Sequence, residues 1–554
     1  MKNPKAILVT VVVAFISLIT FISLVLFFNE TIMVKDAGGT SVPTFLRESH
    51  TIIMYVWVVL FIAISIAGSY YFLIKKKTIE PKKALLYLAI GLASTFILKI
   101  IISSVTKGFE IDTGCFTAWA TGAGNNLFGF YTPAEWCDYP PLYISILSFC
   151  GKLVTLGIPK LIAIRLPALI AEIGISIIIY QLATKNFNRV AGIFLALLFA
   201  MNPLVIFDTS IWGQMDVVLA FFIVCAITLV LKRHAKYPSL YFILSSILFA
   251  SAILIKPQAL FFLPILIFAL IKNKKFLPFL YSGLTGIATI FLLILPFDKV
   301  KFTLDTSKSV AMLNGILPAM KDLIATIAQL PVIKDFLWLL DLFMATAGRY
   351  NYISANAANT YFPFGKNGVY DSMPEVKKGE VAPLIEKVFG LDYATFGIIL
   401  LCIVIVIALI VYLKGKHSSI PWFTAVFLNV GIFMTATRMH ERYMFTVVAL
   451  LVIAFIYSKD IITPMLGALF TLTIYMNVDA VFTRQLINNY PWIDGSWPGI
   501  SKSMVMVSIT NVLGFVILLG LLLGLAFNNY LPIFKTAIVK PLTRSSLSHR
   551  KLKK

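Results

Sequence analysis

Residues 109–143 read FEIDTGCFTAWATGAGNNLFGFYTPAEWCDYPPLY, a polar, aromatic and glycine-rich island set between long apolar runs. It holds four acids, Glu110, Asp112, Glu135 and Asp138, within one loop's length. The runs on either side decide what the island is. If they cross a bilayer, the island is a surface loop where carboxylate chemistry can take place.

The composition supports crossing. Of the 554 residues, 59% are hydrophobic and 13% charged, whereas soluble domains carry about 25% charged residues. Many apolar runs reach the roughly 20 residues that span a bilayer as a helix. A closed barrel would alternate instead, so the chain reads as helical. The formal net charge of +22 is gathered between the apolar runs. That is the positive-inside pattern of a membrane protein. It is not a basic surface interleaved with stacking aromatics, so nucleic acid is not an expected partner.

The charge pattern sets a topology. Spans are expected near residues 6–27 and 51–74, followed by the inner segment KKKTIEPKK (75–83), and then a span near 84–105 that delivers the island outward. The first run is too long for a signal-peptide core and is read as a retained span. Residues 141–157 are apolar but short, and a full crossing there would place KNFNR (185–189) outside; they read as a re-entrant or interfacial helix. Further spans are expected near 166–184, 190–207, 217–231, 240–255, 259–271, 276–297, 394–413, 420–437, 443–458, 461–477 and 503–527. The expected fold is an all-α polytopic bundle of about fourteen transmembrane helices with both termini cytoplasmic. Its parts are two accessory N-terminal helices (1–83), a catalytic module (84–297) with outer loop 106–165, a long outer loop (298–393), and C-terminal helices with a basic tail (394–554). The acids, not used in setting this topology, agree with it: of 25, only Glu80, Glu172 and Asp460 fall outside the outer segments.

The candidate site residues therefore lie on the outer face. Asp112, with Glu110 beside it, follows a span end and reads as a general base for a hydroxyl or as a solvated loop acid. Trp119, Trp136, Phe130 and Tyr131 offer stacking surfaces or interface anchors. Asp138 and Tyr139 precede two prolines that suit a helix start. Asp208, Trp212, Gln214 and Asp216 form a second outer turn, as a substrate subsite or a capped helix start. Lys256, next to Gln258, lies between two short apolar runs, where it meets an anion or snorkels. Arg438, His440 and Arg442 make the densest charged cluster at an outer span end, read as a phosphate clamp in preference to a surface salt-bridge cluster. Tyr352, Asn356 and Asn359 suit a polyol or cap their own loop. Glu172, inside a span, is expected to pair with a basic residue of a neighbouring helix. Cys115 and Cys137 share the island, and a disulfide between them is a candidate if the island faces an oxidising space. No spacing resembles a metal site.

The order of these pieces is similar to that of the GT-C glycosyltransferases, above all the dolichyl-phosphate-glucose-dependent enzymes and their bacterial relatives. The matching positions are Asp112, Asp138 to Pro141, Arg165 with Glu172, Trp212 to Asp216, Lys256, and His440 to Arg442. Two spans precede the matching core, Glu172 stands where those enzymes have Asp, and Arg442 where they have Lys. The resemblance implies a GT-C-like bundle and an inverting transfer from a polyprenyl-phosphate-linked monosaccharide, with no cofactor or obligatory metal. The acceptor would be a glycan, lipid or protein hydroxyl. The expected location is a cell membrane, bacterial on the lysine-rich composition, with the active site outside. The alternatives are a polysaccharide polymerase or ligase with a diphosphate-linked donor, and a lipid or solute transporter; a transporter predicts internal repeats, which the sequence does not display.

Overall fold

The structure is a computed structural model of the chain. It describes residues 31–35, 41–45, 49–75, 78–131, 137–231, 238–274, 276–297, 330–373, 385–488 and 502–527. The expected first span near 6–27, Glu135 and Trp136 of the island, and the basic tail lie outside these residues.

The described residues begin with a two-stranded antiparallel ribbon, β1 (Thr31–Lys35) and β2 (Ser41–Phe45). Most of the remaining described residues are helical. First come α1 (Ser49–Ile74) and α2 (Pro81–Val105), then two helices built from the island and its continuation, α3 (Glu110–Asn125) and α4 (Pro141–Thr155). A single turn, α5 (Lys160–Ala163), leads into α6 (Leu166–Asn186) and α7 (Arg189–Ala200). A short turn α8 (Pro203–Ile206) runs into a π-helical turn, Phe207–Trp212. Then follow α9 (Asp216–Val230), α10 (Pro238–Ile253), a 3-10 turn (Pro257–Phe262), α11 (Leu263–Asn273) and α12 (Phe276–Ile294). The expected long outer loop contains a helix of its own, α13 (Pro331–Gly348). A small ribbon, β3 (Lys387–Val388) and β4 (Leu391–Asp392), precedes α14 (Tyr393–Lys414). The described residues end with α15 (Ile420–Thr435), α16 (Val447–Ser458), α17 (Ile462–Asn488) and α18 (Lys502–Phe527).

Local chemistry explains the boundaries. Proline occupies the first turn of α2, α4, α8 and the 257–262 turn, where its missing N–H is not needed. Side chains cap other starts: Asn188 accepts from Ala191 N, Asn202 from Leu204 N, and Asp392 from Thr395 N. Helices α15 and α16 are apolar and buried on nearly every side, so they form the centre. Helix α2 instead exposes Leu85, Leu86, Ile90, Ile97 and Ile101, the surface expected of a helix facing lipid tails.

Length and composition alone give seven described helices able to cross a membrane, or eight if the pair 189–200 and 203–212, bent by 45°, is one broken span. The expected count of about fourteen is not reproduced by that measure. Several expected spans exist as helices but are only 10–17 residues long, α9, α10, α15 and α16 among them. Helix α4 is also short. It packs against α3 through a close crossing, where a Cβ on Gly151 would come 1.9 Å from the carbonyl oxygen of Ala120. The Ser148 hydroxyl donates to the Ala123 carbonyl across the same crossing. So glycine at 151 sets the distance at which α3, the helix carrying Asp112, is held.

The buried acid of α6 has the expected partner: Glu172 is ion-paired with Lys99 of α2, both nearly inaccessible.

Candidate active site

Asp112 sits in the first turn of α3, not in a free loop. Two donors from the turn after α8 fix its carboxylate. Trp212 Nε1 donates to Oδ2 at 2.7 Å, and Gln214 Nε2 to the same oxygen at 2.5 Å. Arg442 Nη2 lies 3.6 Å from that oxygen. Among the described residues Oδ1 has no protein donor, so one carboxylate oxygen is anchored and the other is available.

The two segments that meet at Asp112 are joined below it. The Phe109 ring stacks on Trp212, centroids 4.3 Å apart and planes 11° from parallel. Phe109 N–H donates to the Trp212 carbonyl at 2.9 Å. Gly213, at φ +87°, ends the π-turn in a conformation that favours glycine. It lets the Gln214 side chain turn back toward α3.

Arg442 is the hub. It donates to Glu441 Oε1 at 2.6 Å, and its Nε lies 3.5 Å from Asp216 Oδ2 without a hydrogen bond to it. Its guanidinium also lies over the Trp212 ring at 5.1 Å. Asp216 opens α9 and is ion-paired with Lys256. Lys256 is brought there by α4, because Leu142 N–H and Tyr143 N–H both donate to the Leu254 carbonyl. The Gln258 amide oxygen is buried nearby with no hydrogen bond. The structure therefore brings together Asp112, Trp212, Gln214, Asp216, Lys256 and Arg442. Asp208 lies beneath them, buried, its backbone carbonyl accepting from Gly213 N and Gln214 N.

Other expected residues are placed elsewhere. Glu110 is on the opposite face of α3, lining an open cleft of about 690 Å³ with Lys107 and Lys160, away from Asp112. Trp119 is buried against Phe116 and Tyr139 and serves as core. Asp138 lies 3.5 Å from Arg349, at the end of α13. Burial lifts the Asp138 carboxyl above its ordinary range, with Arg349 opposing. Arg438 is not placed to clamp a phosphate. Its Nε and Nη2 grip both oxygens of the buried Asp371 at 2.7 and 3.1 Å, and Nη1 donates to the Ala347 carbonyl. Its planar fork is filled by the protein. Asn356 and Asn359 hold their own loop together. Asn359 Oδ1 accepts from Tyr361 N, and Asn356 Oδ1 from Asn367 Nδ2. Tyr352 packs against Tyr370. No disulfide joins Cys115 to Cys137. Cys115 is half-buried on α3, while Cys137 is buried with its Sγ 3.7 Å from the Tyr139 carbonyl.

His440 differs from expectation in charge. Burial first, and then the charges of Arg442 and Lys256, push its pKa down to about 3. It is therefore neutral at physiological pH and offers an N–H or a lone pair, not a cation. Its ring meets Tyr350 edge-on at 4.8 Å. The sign of the linkage follows. Below the ordinary histidine value of about 6.5 the unfolded chain takes a proton that the folded one refuses, so stability falls as pH drops from about 6.5 toward 3. His440→Gln is expected to remove that contribution, about 2 kcal/mol at pH 5. Melting the wild type and the variant at about pH 7 and pH 5 checks this: equal pH sensitivity contradicts it.

Sequence reasoning missed Asp371, which locks Arg438, and Arg349, which faces Asp138. Neither stands in a motif; only the folded loop reveals them.

A helical bundle with several helices long and apolar enough to cross a membrane, and with a carboxylate, a carboxylate-paired lysine and an arginine hub gathered in one largely buried cluster, defines an integral membrane protein with a polar cluster in its interior. Residues 138–297 match the family model for dolichyl-phosphate-mannose-protein mannosyltransferase. That match covers less than a third of the chain. Among solved structures, the chain is similar to the archaeal oligosaccharyltransferase AglB from Archaeoglobus fulgidus, in complex with an inhibitory peptide and a dolichol-phosphate, at 13% identity and a TM-score of 0.34. The likeness covers 78% of this chain but only 55% of AglB, so this chain spans about half the length of that protein. Among curated proteins none matches.

Proposed function

We propose that the protein transfers a monosaccharide from a polyprenyl-phosphate donor to an acceptor hydroxyl at the outer face of the membrane, with inversion and with Asp112 as general base. The observation that carries this reading is the convergence of Asp112 with Arg442 and the Lys256–Asp216 pair. The donor class is the one named by the family that residues 138–297 match. A nucleotide sugar is not supplied outside the cell, so a site there needs a donor delivered by lipid.

In the proposed step Asp112 takes the proton of the acceptor O–H. The oxygen attacks the anomeric carbon from the face opposite the phosphate, and the C1–O bond to phosphorus breaks. Its electron pair leaves with the polyprenyl phosphate. Arg442 and Lys256 stabilise that growing charge. Both cations are held by Asp216 and Glu441, so they are oriented before the donor arrives. Arg442 Nε retains unused donor capacity, which suits a phosphate oxygen. Arg438 has no part in this step, and His440 enters it as a neutral hydrogen-bonding group.

Purified protein incubated with radiolabelled polyprenyl-phosphate mannose or glucose and a panel of lipid, glycan and peptide acceptors tests the proposal. Labelled product from a monophosphate-linked sugar is the expected result. Transfer solely from diphosphate-linked oligosaccharide would assign the chain to the ligase class. Lipid or solute movement without transfer would assign it to transport.

A further inference from the structure

We propose that Arg165 is a positioning residue for the transfer reaction, tying the segment that leads into Asp112 to the turn that carries Trp212 and Gln214; this rests on the reading of Asp112 as the base. Arg165 is completely buried. Among the described residues it faces no carboxylate. Its guanidinium is solvated by backbone carbonyls instead. Nη1 donates to Ser103 O at 2.6 Å and Thr106 O at 3.1 Å, and Nη2 to Ile211 O at 3.4 Å.

These carbonyls belong to two separate segments. Ser103 and Thr106 end α2, where the last carbonyls of a helix lack partners and carry negative partial charge. Ile211 lies in the π-turn, one residue before Trp212. A second tie runs beside the first: Thr106 Oγ1 donates to Ser210 O at 2.8 Å. The backbone between the ties is shaped to fit the guanidinium. Gly108 and Gly213 are both at φ +87°. A Cβ on Gly108 would lie 2.8 Å from Arg165 Nη2, and one on Gly213 3.1 Å from Nε. The guanidinium thus sits under the two strands of chain whose side chains meet at Asp112. A lone buried cation is unfavourable in a bundle core. A planar fork reaching both segments is what lysine, a point donor on a flexible stem, does not offer.

Arg165→Lys in the full-length protein is the test, with Thr106→Val as a second variant that loosens the neighbouring tie without disturbing the buried charge. Misplacement of a reacting group by about 1 Å lowers turnover by up to about 100-fold. Arg165→Lys is expected to lower kcat by about 30- to 100-fold with donor KM within about threefold of wild type, and Thr106→Val by a few-fold in the same pattern. Hydrogen exchange should accelerate at residues 106–113 and 207–214 and stay unchanged elsewhere. Wild-type kcat per folded molecule in both variants, or exchange that accelerates across the whole bundle, overturns the inference. Asp112→Asn in the same assay separates the two claims. If it transfers normally, the reading of the site falls. If it is inactive while both tie variants turn over normally, the role of Arg165 alone falls.

Discussion

Asp112→Asn is expected to lower kcat by about 10³-fold while donor binding and folding are retained. The size follows from the usual contribution of a positioned general base, about 10²- to 10⁴-fold. The retention follows from geometry. An asparagine in the same rotamer still offers an oxygen to Trp212 Nε1 and Gln214 Nε2, the two donors that hold the aspartate. Stacking of Phe109 on Trp212 does not depend on the charge at 112. What is lost is the proton acceptor and one anionic neighbour of Arg442, whose contacts with Glu441 and Asp216 persist. Single-turnover transfer, paired with equilibrium binding of polyprenyl phosphate, separates these effects. Transfer within tenfold of wild type removes Asp112 from the base role.

Lys99→Met is expected to destabilise the bundle by about 3–5 kcal/mol, because it leaves the Glu172 carboxylate buried without its counter-ion. Both side chains are nearly inaccessible and pair only across α2 and α6. Replacing the pair is different from breaking it: Lys99→Met with Glu172→Met removes both charges and should recover most of the loss. Thermal unfolding in detergent gives the answer. A double variant no more stable than Lys99→Met would show that the pair does more than neutralise itself. The pair also stiffens the two helices that flank Arg165, so the account predicts that the double variant keeps measurable transfer.

The helices were legible where apolar runs ended at strong punctuation. Thr106-Lys107-Gly108 closes α2, Pro141 opens α4, and Asn202-Pro203 breaks the span that continues to Trp212. The crossing count was not legible, since an apolar run reports burial as readily as lipid contact. Helices α15 and α16 are apolar because they are the centre of the protein. In the site, the meeting of Asp112 with Trp212, Gln214, Asp216, Lys256 and Arg442 followed from short motifs that one topology brings to one face. The partners that redirect Arg438 and face Asp138 did not follow. Asp371 and Arg349 meet Arg438 and Asp138 from the loop between α13 and α14 and its start, and sequence spacing carries no record of where such a loop returns. The opposite faces of α3 gave a similar difficulty. Glu110 and Asp112 are two residues apart, and a helix turns them to different surroundings.

An experimental structure with polyprenyl phosphate bound tests the central claim most directly. The account predicts the phosphorus between Arg442 and Lys256, with oxygens at about 3 Å from their nitrogens, the prenyl chain leaving between helices, and the Asp112 carboxylate facing the vacated sugar position. A phosphate bound at the opposite leaflet, or in the cleft of Lys107, Glu110 and Lys160 with Arg442 and Lys256 untouched, would contradict it.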